Sequence, residues 1–386
     1  MNALAPLMTI GVLLVTGMGV ALLGSIKLAL ARRLNIDESR IGGMVSAFGF
    51  TIIPMVLLFG FLSDHFGQKA VIIGGSVTMA VGLLVMARCQ SYAGAFLAVL
   101  VLGTAWSALV NAVNAIVPPT FGGSMVYATN LSNVFFGLGA FLTPMGLAFL
   151  LRRWSLPVLL SGLAGVVVIP AILAFTVDFA LLFAQETATI LAEPSEMGAW
   201  ALLYNPVVWL CSIAFLFYAP LEASMGAWAT TFLGLRGVSE GTALRWLSAF
   251  WLSFMLTRLL AALSLPEGGE AMAVLVLSIL AVGAMAAVVW SRSRGSAVAT
   301  VAGSGLVFGA IFPTILALLL ASVALPVRGR AIGLFFAVGA VGWTLIPPMI
   351  GSLAEKTGIQ RGFLIAVGSA SALVIVALLL VLQMGS

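Results

Sequence analysis

The sequence predicts an all-α integral membrane protein with about twelve transmembrane helices. Of its 386 residues, 62% are hydrophobic and only 8% are charged, whereas soluble domains carry about 25% charged residues. The apolar residues also form long blocks, and a helix needs about 20 apolar residues to cross a bilayer core about 30 Å thick. Strands of a membrane barrel would be shorter and would alternate in polarity, so these blocks predict helices.

One long connection divides the predicted helices into two sets of six. It runs from Asp178 to about Leu202 and contains acidic residues but no Lys or Arg. We therefore predict an N-terminal six-helix bundle at 1–177, a central loop at 178–202 and a C-terminal six-helix bundle at 203–386. Transporters built from two related halves bind their substrate between the halves, near the middle of the membrane. The predicted spans are 7–31, 40–62, 69–89, 93–117, 125–150, 155–177, 203–234, 241–263, 270–290, 297–323, 330–353 and 361–383.

The charge pattern and the scarcity of reactive side chains exclude several classes of protein. The formal net charge is +5, but the basic residues are scattered among short loops and form no stripe that would bind nucleic acid. Cys89 and Cys211 lie in separate apolar blocks, and His65 is the one histidine. We therefore expect no metal site, no cofactor, no disulfide framework and no catalytic cluster of an enzyme.

A short polar segment separates the second and third predicted spans. Residues 60–69 read Gly-Phe-Leu-Ser-Asp-His-Phe-Gly-Gln-Lys, which resembles the signature G-x-L-x-D-x-x-G-x-K/R of the major facilitator superfamily. In this pattern Gly60 and Gly67 permit close helix approach and a tight turn. Asp64 can bond a helix N-terminus or a basic group as a latch of the closed state, and Lys69 supplies charge at the membrane surface. The resemblance implies the major facilitator fold and alternating-access transport by a monomer.

A second, more scattered set of residues resembles the fucose–proton symporter branch of that superfamily. Three ionisable positions of the branch have no counterpart here. Val110 and Ala128 stand at two of them, and the first span, 7–31, contains no acid. The resemblance implies a sugar-like substrate and proton coupling, but not through those three positions. The residues that carry it are Asn111, Asn114, Asn130, Asn133, Gly137, Pro220, Glu222, Trp228, Arg258, Phe312, Pro313, Thr314, Gly339, Gly342, Pro347 and Gly351.

Four ionisable residues fall inside or at the ends of predicted spans, where a charge is costly unless it faces water or a partner. Glu222 is the one carboxylate deep in a predicted helix. It is a candidate for proton coupling, for binding a substrate hydroxyl, or for a structural pair with a basic residue. Lys27 either snorkels to the surface or faces the cavity, where it would pair with Glu222 or bind an anionic substrate group. Arg258 is predicted at the surface or in a gate rather than against substrate, and Arg245 at the membrane interface.

Uncharged polar residues align on two helices. Asn111 and Asn114 share one face of the fourth predicted helix with Ser107, and Asn130 shares a face of the fifth with Asn133. Amides can bond the hydroxyls of a polyhydroxylated ligand, and an aromatic face can stack on a sugar ring. The amides could equally bond between helices. The aromatic candidates are Trp106 and Trp228.

The expected function is secondary transport of a small polar, sugar-like solute, with protons as a possible second partner. Export of amphipathic compounds and transport of an organic anion are the alternatives, and a sensor is a third class. The resemblance places the chain in the bilayer of a bacterial inner membrane, with the N-terminus and central loop in the cytoplasm. That orientation puts most Arg residues, including Arg32, Arg33, Arg152 and Arg153, outside, against the positive-inside rule.

Overall fold

The structure is a computed structural model that describes residues 4–184 and 201–384. These residues form helices joined by short turns, with no strand among them. The first half contains α1 (Ala5–Leu34), α2 (Glu38–Arg88), α3 (Tyr92–Phe121), α4 (Met125–Leu150), α5 (Leu156–Val167) and α6 (Ile169–Thr176). The second half contains α7 (Pro206–Gly234), α8 (Glu240–Ser264), α9 (Glu270–Trp290), α10 (Arg294–Phe308), α11 (Ile311–Ala321), α12 (Arg328–Thr357), α13 (Ile359–Gly362) and α14 (Leu364–Met384).

Within the described ranges, 11 helical stretches are long and apolar enough to cross a membrane. One of them, in α2, is 49 residues long, which at 1.5 Å per residue is more than twice the thickness of a bilayer core. Gly67 interrupts it with φ 81° and ψ 157°, a left-handed backbone that favours glycine. The interruption separates the two spans predicted at 40–62 and 69–89. Counting them separately gives twelve spans, as the sequence predicts.

A second interruption divides the span predicted at 297–323 into α10 and α11. Residues 309 and 310 form the turn between them. Pro313 lies in the first turn of α11 and has no N–H, so it cannot donate to the carbonyl of Gly309, four residues earlier. The proline ring also crowds that carbonyl. The break therefore leaves the Gly309 carbonyl without its helical hydrogen bond in the interior of the protein.

The predicted central loop, 178–202, is partly helical. Residues 179–184 are helical, and the Asp178 carboxylate caps this segment by accepting bonds from Ala180 N (3.0 Å) and Leu181 N (3.2 Å). The other end of the predicted loop begins a 3-10 helix, Ala201–Tyr204. The acidic residues Glu186, Glu193 and Glu196 lie outside the described residues.

The chain divides into two compact units. Among the described residues, the first unit holds 4–122, 135–184 and Ala324–Ala337, and the second holds Gly123–Val134, 201–323 and 338–384. In the first unit α2 packs on α3, α5 and α6, and α1 packs on α3 and α6. In the second unit α7 packs on α8, α11 and α14, while α9 packs on α10, α11 and α14, and α8 on α10.

Two glycines let α10 approach α8 at backbone distance. A Cβ at Gly305 would collide with the carbonyl oxygen of Phe250, and a Cβ at Gly309 with that of Phe254. Small residues spaced four apart are a common way for helices to pack closely in lipid. The close approach brings the α10–α11 break against α8.

Gly305→Ala is expected to lower the free energy of unfolding by about 1–3 kcal/mol, because the new methyl group forces the two helices apart. The loss should appear although alanine is the better helix former by about 1 kcal/mol. Gly303→Ala is the matched control, since a Cβ there meets nothing within 4 Å. Thermal unfolding in detergent measures both. Equal melting temperatures for the two variants would contradict the close contact.

Candidate functional site

A buried arginine lies at the centre of the polar residues in the second unit. Arg258 on α8 is 2% exposed, so the predicted surface position is wrong. Its Nε donates to the Gly309 carbonyl at 2.9 Å and its Nη1 donates to the Asn133 carbonyl at 3.0 Å. The guanidinium carbon also lies 4.3 Å from the centre of the Phe254 ring. Arg258 thus joins α8 to the α10–α11 break and to the first part of α4.

The position of Arg258 follows from the break described above. The Gly309 carbonyl has lost its helical donor because Pro313 has no N–H, and an unbonded carbonyl in an apolar interior is costly. The carbonyl end of a helix also carries partial negative charge, which favours a cation there. Arg258 satisfies the carbonyl and supplies that cation. The sequence shows Arg258 and Pro313 separately, but only the packing of α8 on α10 brings them together.

Glu222 and Tyr218 lie one turn apart on α7 and share a hydrogen bond. The Tyr218 hydroxyl is 3.1 Å from Glu222 Oε2 and 3.0 Å from the Phe308 carbonyl oxygen, both acceptors. The charges of Glu222 and Arg258 also interact electrostatically, and the Tyr218 hydroxyl interacts with both. Tyr218 is fully buried, whereas Glu222 is partly exposed. We call Glu222, Tyr218 and Arg258 the ionic cluster.

Aromatic rings border the ionic cluster. Tyr218 stacks near Phe215 and Phe312, with ring centroids 6.5 Å apart in each case, and the Phe215 and Phe312 centroids are 4.8 Å apart. Such a border keeps the local dielectric low, which strengthens interactions between charges. No group of three or more acidic, His or Cys side chains that could hold a metal occurs among the described residues.

The two predicted amides of α4 belong to the second unit, and one of them, Asn133, is bonded to the ionic cluster through its backbone carbonyl. Asn130 Nδ2 donates to Val126 O at 3.1 Å and to Thr314 Oγ1 on α11 at 3.3 Å. Its Oδ1 is buried without a hydrogen-bond partner. Asn133 Nδ2 donates within its own helix to Thr129 O at 2.8 Å, while its carbonyl accepts from Arg258. Asn130 therefore has an unused acceptor, as does Asn111 of the first unit, whose Oδ1 is also buried without a partner.

The predicted tryptophans are engaged in helix packing. Trp228 on α7 donates from Nε1 to the Pro347 carbonyl of α12 at 3.1 Å, and its ring covers Gly351. Trp106 on α3 donates from Nε1 to the Thr16 carbonyl of α1 at 2.9 Å. It is 6% exposed. Both indole N–H groups therefore bond neighbouring helices, while the Trp228 ring remains partly exposed.

In the first unit Asp64 holds the N-terminus of α12. Its carboxylate accepts hydrogen bonds from Gly329 N at 2.7 Å, from Arg330 N at 3.1 Å and from Arg330 Nε at 2.8 Å. A carboxylate at a helix N-terminus is favoured by the helix dipole. The sequence predicts a bond of Asp64 to a helix N-terminus or to a basic group, and the structure contains both.

Asn111 also bonds Gly329, through the carbonyl of that residue. Its Nδ2 donates to the Gly329 carbonyl at 2.9 Å, so the N–H and the C=O of Gly329 are bound by two different helices, α2 and α3. Asn114, one turn on, bonds only the Val110 carbonyl of its own helix. Asn111 was predicted to bind substrate, and here it secures the segment Ala324–Ala337. We call Asp64, Asn111, Gly329 and Arg330 the latch.

The glycines of the 60–69 motif make the latch possible. A Cβ at Gly60 would lie 2.7 Å from the Gly329 carbonyl oxygen, closer than any side chain tolerates. Gly67 makes the turn between the two parts of α2. Lys69 places its ammonium 6.0 Å from the centre of the Phe179 ring, at the start of the helical segment 179–184. The motif thus positions α2 against the beginning of α12.

Two of the four ionisable candidates lie on exposed surface. Lys27 on α1 and Arg245 near the start of α8 are both exposed, the latter as an interfacial residue would be. Sequence reasoning missed Tyr218, Gly329 and Arg330. Tyr218 is four residues before Glu222, a spacing at which helix side chains meet, and that spacing could have identified it. No sequence signal linked Arg330 to Asp64.

Comparison with known proteins agrees with this architecture. A solved structure of the proton:xylose symporter XylE superposes with a TM-score of 0.83 at 12% identity, covering 99% of this chain and 95% of that one. The E. coli fucose:proton symporter FucP gives 0.77 at 15% identity, with 97% and 99% covered. The human organic anion transporter MFSD10 (TETRAN) gives 0.76 at 18% identity, with 98% of each chain covered. At these identities the likeness shows the fold.

Among curated proteins, the uncharacterized MFS-type transporter YfkL of Bacillus subtilis (strain 168) is 30% identical over 134 residues. The aligned part spans 35% of this chain and 34% of that protein, so about a third of each is related at this level. The profile of the Major Facilitator Superfamily matches residues 9–347, nearly the whole chain. Together with the twelve apolar spans, this match shows that the chain belongs to the Major Facilitator Superfamily, as a multi-pass membrane transporter.

Proposed function

We propose that the protein is a proton-coupled secondary transporter of a small polar, hydroxylated solute, and that Glu222 carries the coupled proton. The observation that carries the proposal is the ionic cluster. Glu222 is a carboxylate in the middle of α7 that remains partly exposed while its partners are buried. An ionisable group inside the membrane is rare and costly, and such groups mark solute or proton pathways by default even when they are paired.

Protonation of Glu222 changes which acceptor the Tyr218 hydroxyl bonds. This hydroxyl has one proton and two acceptors in reach, Glu222 Oε2 and the Phe308 carbonyl, so it can donate to only one at a time. An ionised Glu222 attracts that donation. A protonated Glu222 releases it to Phe308, the last residue of α10 before the break. Protonation thereby alters the connection between α7 and the broken helix, which supports a role in alternating access.

A sugar-like solute and an anionic solute are each supported by a named structural neighbour and by one feature of the site. Two structural neighbours are sugar symporters by name, and Asn130 Oδ1 is a buried acceptor that a solute hydroxyl could fill. The human neighbour is an organic anion transporter by name, and Arg258 is a buried cation. No contact in the described part of the chain favours export of amphipathic compounds. We further propose that the latch closes one end of the pathway, and that the protein acts as a monomer in a bacterial cell membrane.

Glu222→Gln is expected to abolish proton-driven accumulation while sparing solute exchange, because glutamine keeps the shape of the site but cannot release a proton. One coupled proton supports about a tenfold solute gradient for each unit of pH difference. In proteoliposomes with an imposed pH gradient, the variant should reach only equilibration with labelled hexoses and hexuronates, whichever the wild type accumulates. Glu267→Gln, at an exposed carboxylate, is the control. Unchanged accumulation by Glu222→Gln would remove this residue from the mechanism.

A further inference from the structure

We infer that the transported solute carries an anionic group, which binds at Arg258 together with the proton on Glu222. The inference deepens the proposed function and rests on it. The charge of the ionic cluster favours a hydroxylated organic acid over a neutral sugar as the transported solute.

The charges around the cluster are few. Glu222 interacts with the charge of Arg258, and Arg258 with Glu222 and with the Tyr218 hydroxyl. The other charged groups described on the surrounding helices lie near helix ends: Arg245 on α8, Glu270 on α9, Arg294 on α10, Arg328, Arg330, Glu355 and Lys356 on α12, and Arg361 on α13. The parts of α4, α11 and α14 that belong to this unit contain no charged residue. The cluster is therefore neutral when Glu222 is ionised and carries one positive charge when Glu222 is protonated.

That positive charge cannot be discharged within the cluster. A guanidinium does not lose its proton in proteins, and a buried charge whose partner has been neutralised is strongly destabilising. A neutral solute arriving with the proton would leave the charge in place. A solute with one negative charge would compensate it, so the proton and the anion would each favour binding of the other.

The geometry leaves Arg258 able to bind an anion. Nε and one N–H of Nη1 donate to the Gly309 and Asn133 carbonyls, and the guanidinium also bonds the Tyr218 hydroxyl. A guanidinium has five N–H donors in a planar fork that suits a carboxylate, so about two of them are left for an anion. One turn before Asn133, on the same face of α4, Asn130 has a buried Oδ1 without a partner. That acceptor fits a hydroxyl of the same solute. Together, the Arg258 guanidinium and the Asn130 acceptor would bind the carboxylate and a hydroxyl of a hydroxy acid.

The test compares acids with neutral partners of the same size on the purified full-length protein. The pairs are D-glucuronate with D-glucose, D-gluconate with D-glucitol, and lactate with propane-1,2-diol. Calorimetry in two buffers of different ionisation enthalpy gives both the affinity and the number of protons taken up. We expect at least one acid to bind tenfold or more tightly than its neutral partner, with uptake of one proton. Its affinity should rise about tenfold per unit as the pH falls, by linkage.

Variants assign the charges. Glu222→Gln should bind the acid without proton uptake and with little pH dependence, because glutamine stands for the protonated carboxyl. Arg258→Gln should lose the preference for the acid, and Arg258→Lys, which keeps the charge if the glutamine variant fails to fold, should retain it. Arg245→Gln, at an exposed arginine of the same helix, should behave as the wild type.

Three outcomes would overturn the inference: a neutral partner that binds as tightly as its acid, acid binding without proton uptake, or no acid binding across the panel. Failure of the proposed function is separate. If a neutral solute binds and Glu222→Gln loses its accumulation, proton coupling stands and the anion falls. If Glu222→Gln accumulates its solute like the wild type, the proposed function falls whatever the solute's charge.

Discussion

Arg258→Met is expected to lower the free energy of unfolding by about 3–5 kcal/mol, because two buried carbonyls lose a charged donor, each bond contributing about 1.5–3 kcal/mol. Glu222 would lose Arg258, the cation with which its charge interacts among the described residues. The carbonyls of Gly309 and Asn133 would lose their donors at the same time. Methionine is close to arginine in length and flexible, so the loss would reflect missing charge and hydrogen bonds more than a cavity.

The double variant Arg258→Met, Glu222→Gln separates the charge from the hydrogen bonds. Each single variant leaves one of the two charges without its partner, but the double variant leaves neither charge. It should therefore be more stable than Arg258→Met, with a coupling of about 1–3 kcal/mol between the two sites. It should remain less stable than the wild type, because the two carbonyls are still without donors. Unfolding in detergent, followed by intrinsic fluorescence, measures all four proteins of the cycle.

The loss in Arg258→Met should also shrink at low pH, where Glu222 can take up a proton and its isolated charge disappears. Arg245→Met is the matched control on the same helix. Because Arg245 is exposed, its replacement should change the free energy of unfolding by less than about 0.5 kcal/mol at any pH. A strictly additive cycle, or equal effects of the two arginine variants, would contradict an energetic link between Glu222 and Arg258.

The fold could be predicted from the sequence because lipid restricts the choices so strongly. Apolar blocks of the right length must become helices, and the twelve predicted spans all correspond to helices in the structure. The interruptions within these helices were harder to predict from the sequence. Gly67 falls in a polar turn that the sequence shows. The break before α11 is recognised only when Pro313 is considered together with the Gly309 carbonyl, to which it cannot donate a hydrogen bond. Helix 179–184 lies in a segment whose composition favoured a loop.

The candidate site was predicted only in part, because sequence gives the position of a residue along a helix but not which neighbour it faces. Glu222 was recognised from its depth alone. The surface position predicted for Arg258 was wrong, since its burial depends on a carbonyl freed 51 positions away in another helix. Asn111 was recognised as important for its face and spacing, but its partner is a backbone carbonyl near the start of α12. Spacing cannot distinguish a bond to solute from a bond to a distant backbone.

Asp64→Asn is expected to open the latch. The variant loses the charge that favours three hydrogen bonds from Gly329 and Arg330, and a hydrogen bond to a charged group contributes about 1.5–3 kcal/mol. A net loss of about 2 kcal/mol would raise the population in which Ala324–Ala337 has moved away from α2 by roughly thirtyfold. The expected readout is access to a residue that the closed latch buries.

Val56 is suited to that readout. It is 0% exposed, and its carbonyl lies 2.8 Å from where a Cβ of Gly333 would be, so it is covered by the same segment that the latch holds. A Val56→Cys substitution should react slowly with a maleimide in the parent protein and roughly thirtyfold faster with Asp64→Asn. Glu355→Gln, at an exposed carboxylate, controls for the loss of a negative charge. The parent without the new cysteine gives the background from Cys89 and Cys211, which are both buried.

Asn111→Ala tests the second arm of the latch, which is the hydrogen bond from Asn111 to Gly329. It removes a neutral hydrogen bond to the Gly329 carbonyl, which contributes about 0.5–1.5 kcal/mol, so labelling at residue 56 should rise by less than with Asp64→Asn. Because both residues bind Gly329, the double variant should be less than additive: once one arm is released, the other restrains a segment already free to move. If Asn111 instead contacts solute alone, Asn111→Ala would weaken solute binding and leave the labelling rate unchanged. Labelling and solute affinity, measured on the same protein, therefore decide between the two roles of Asn111.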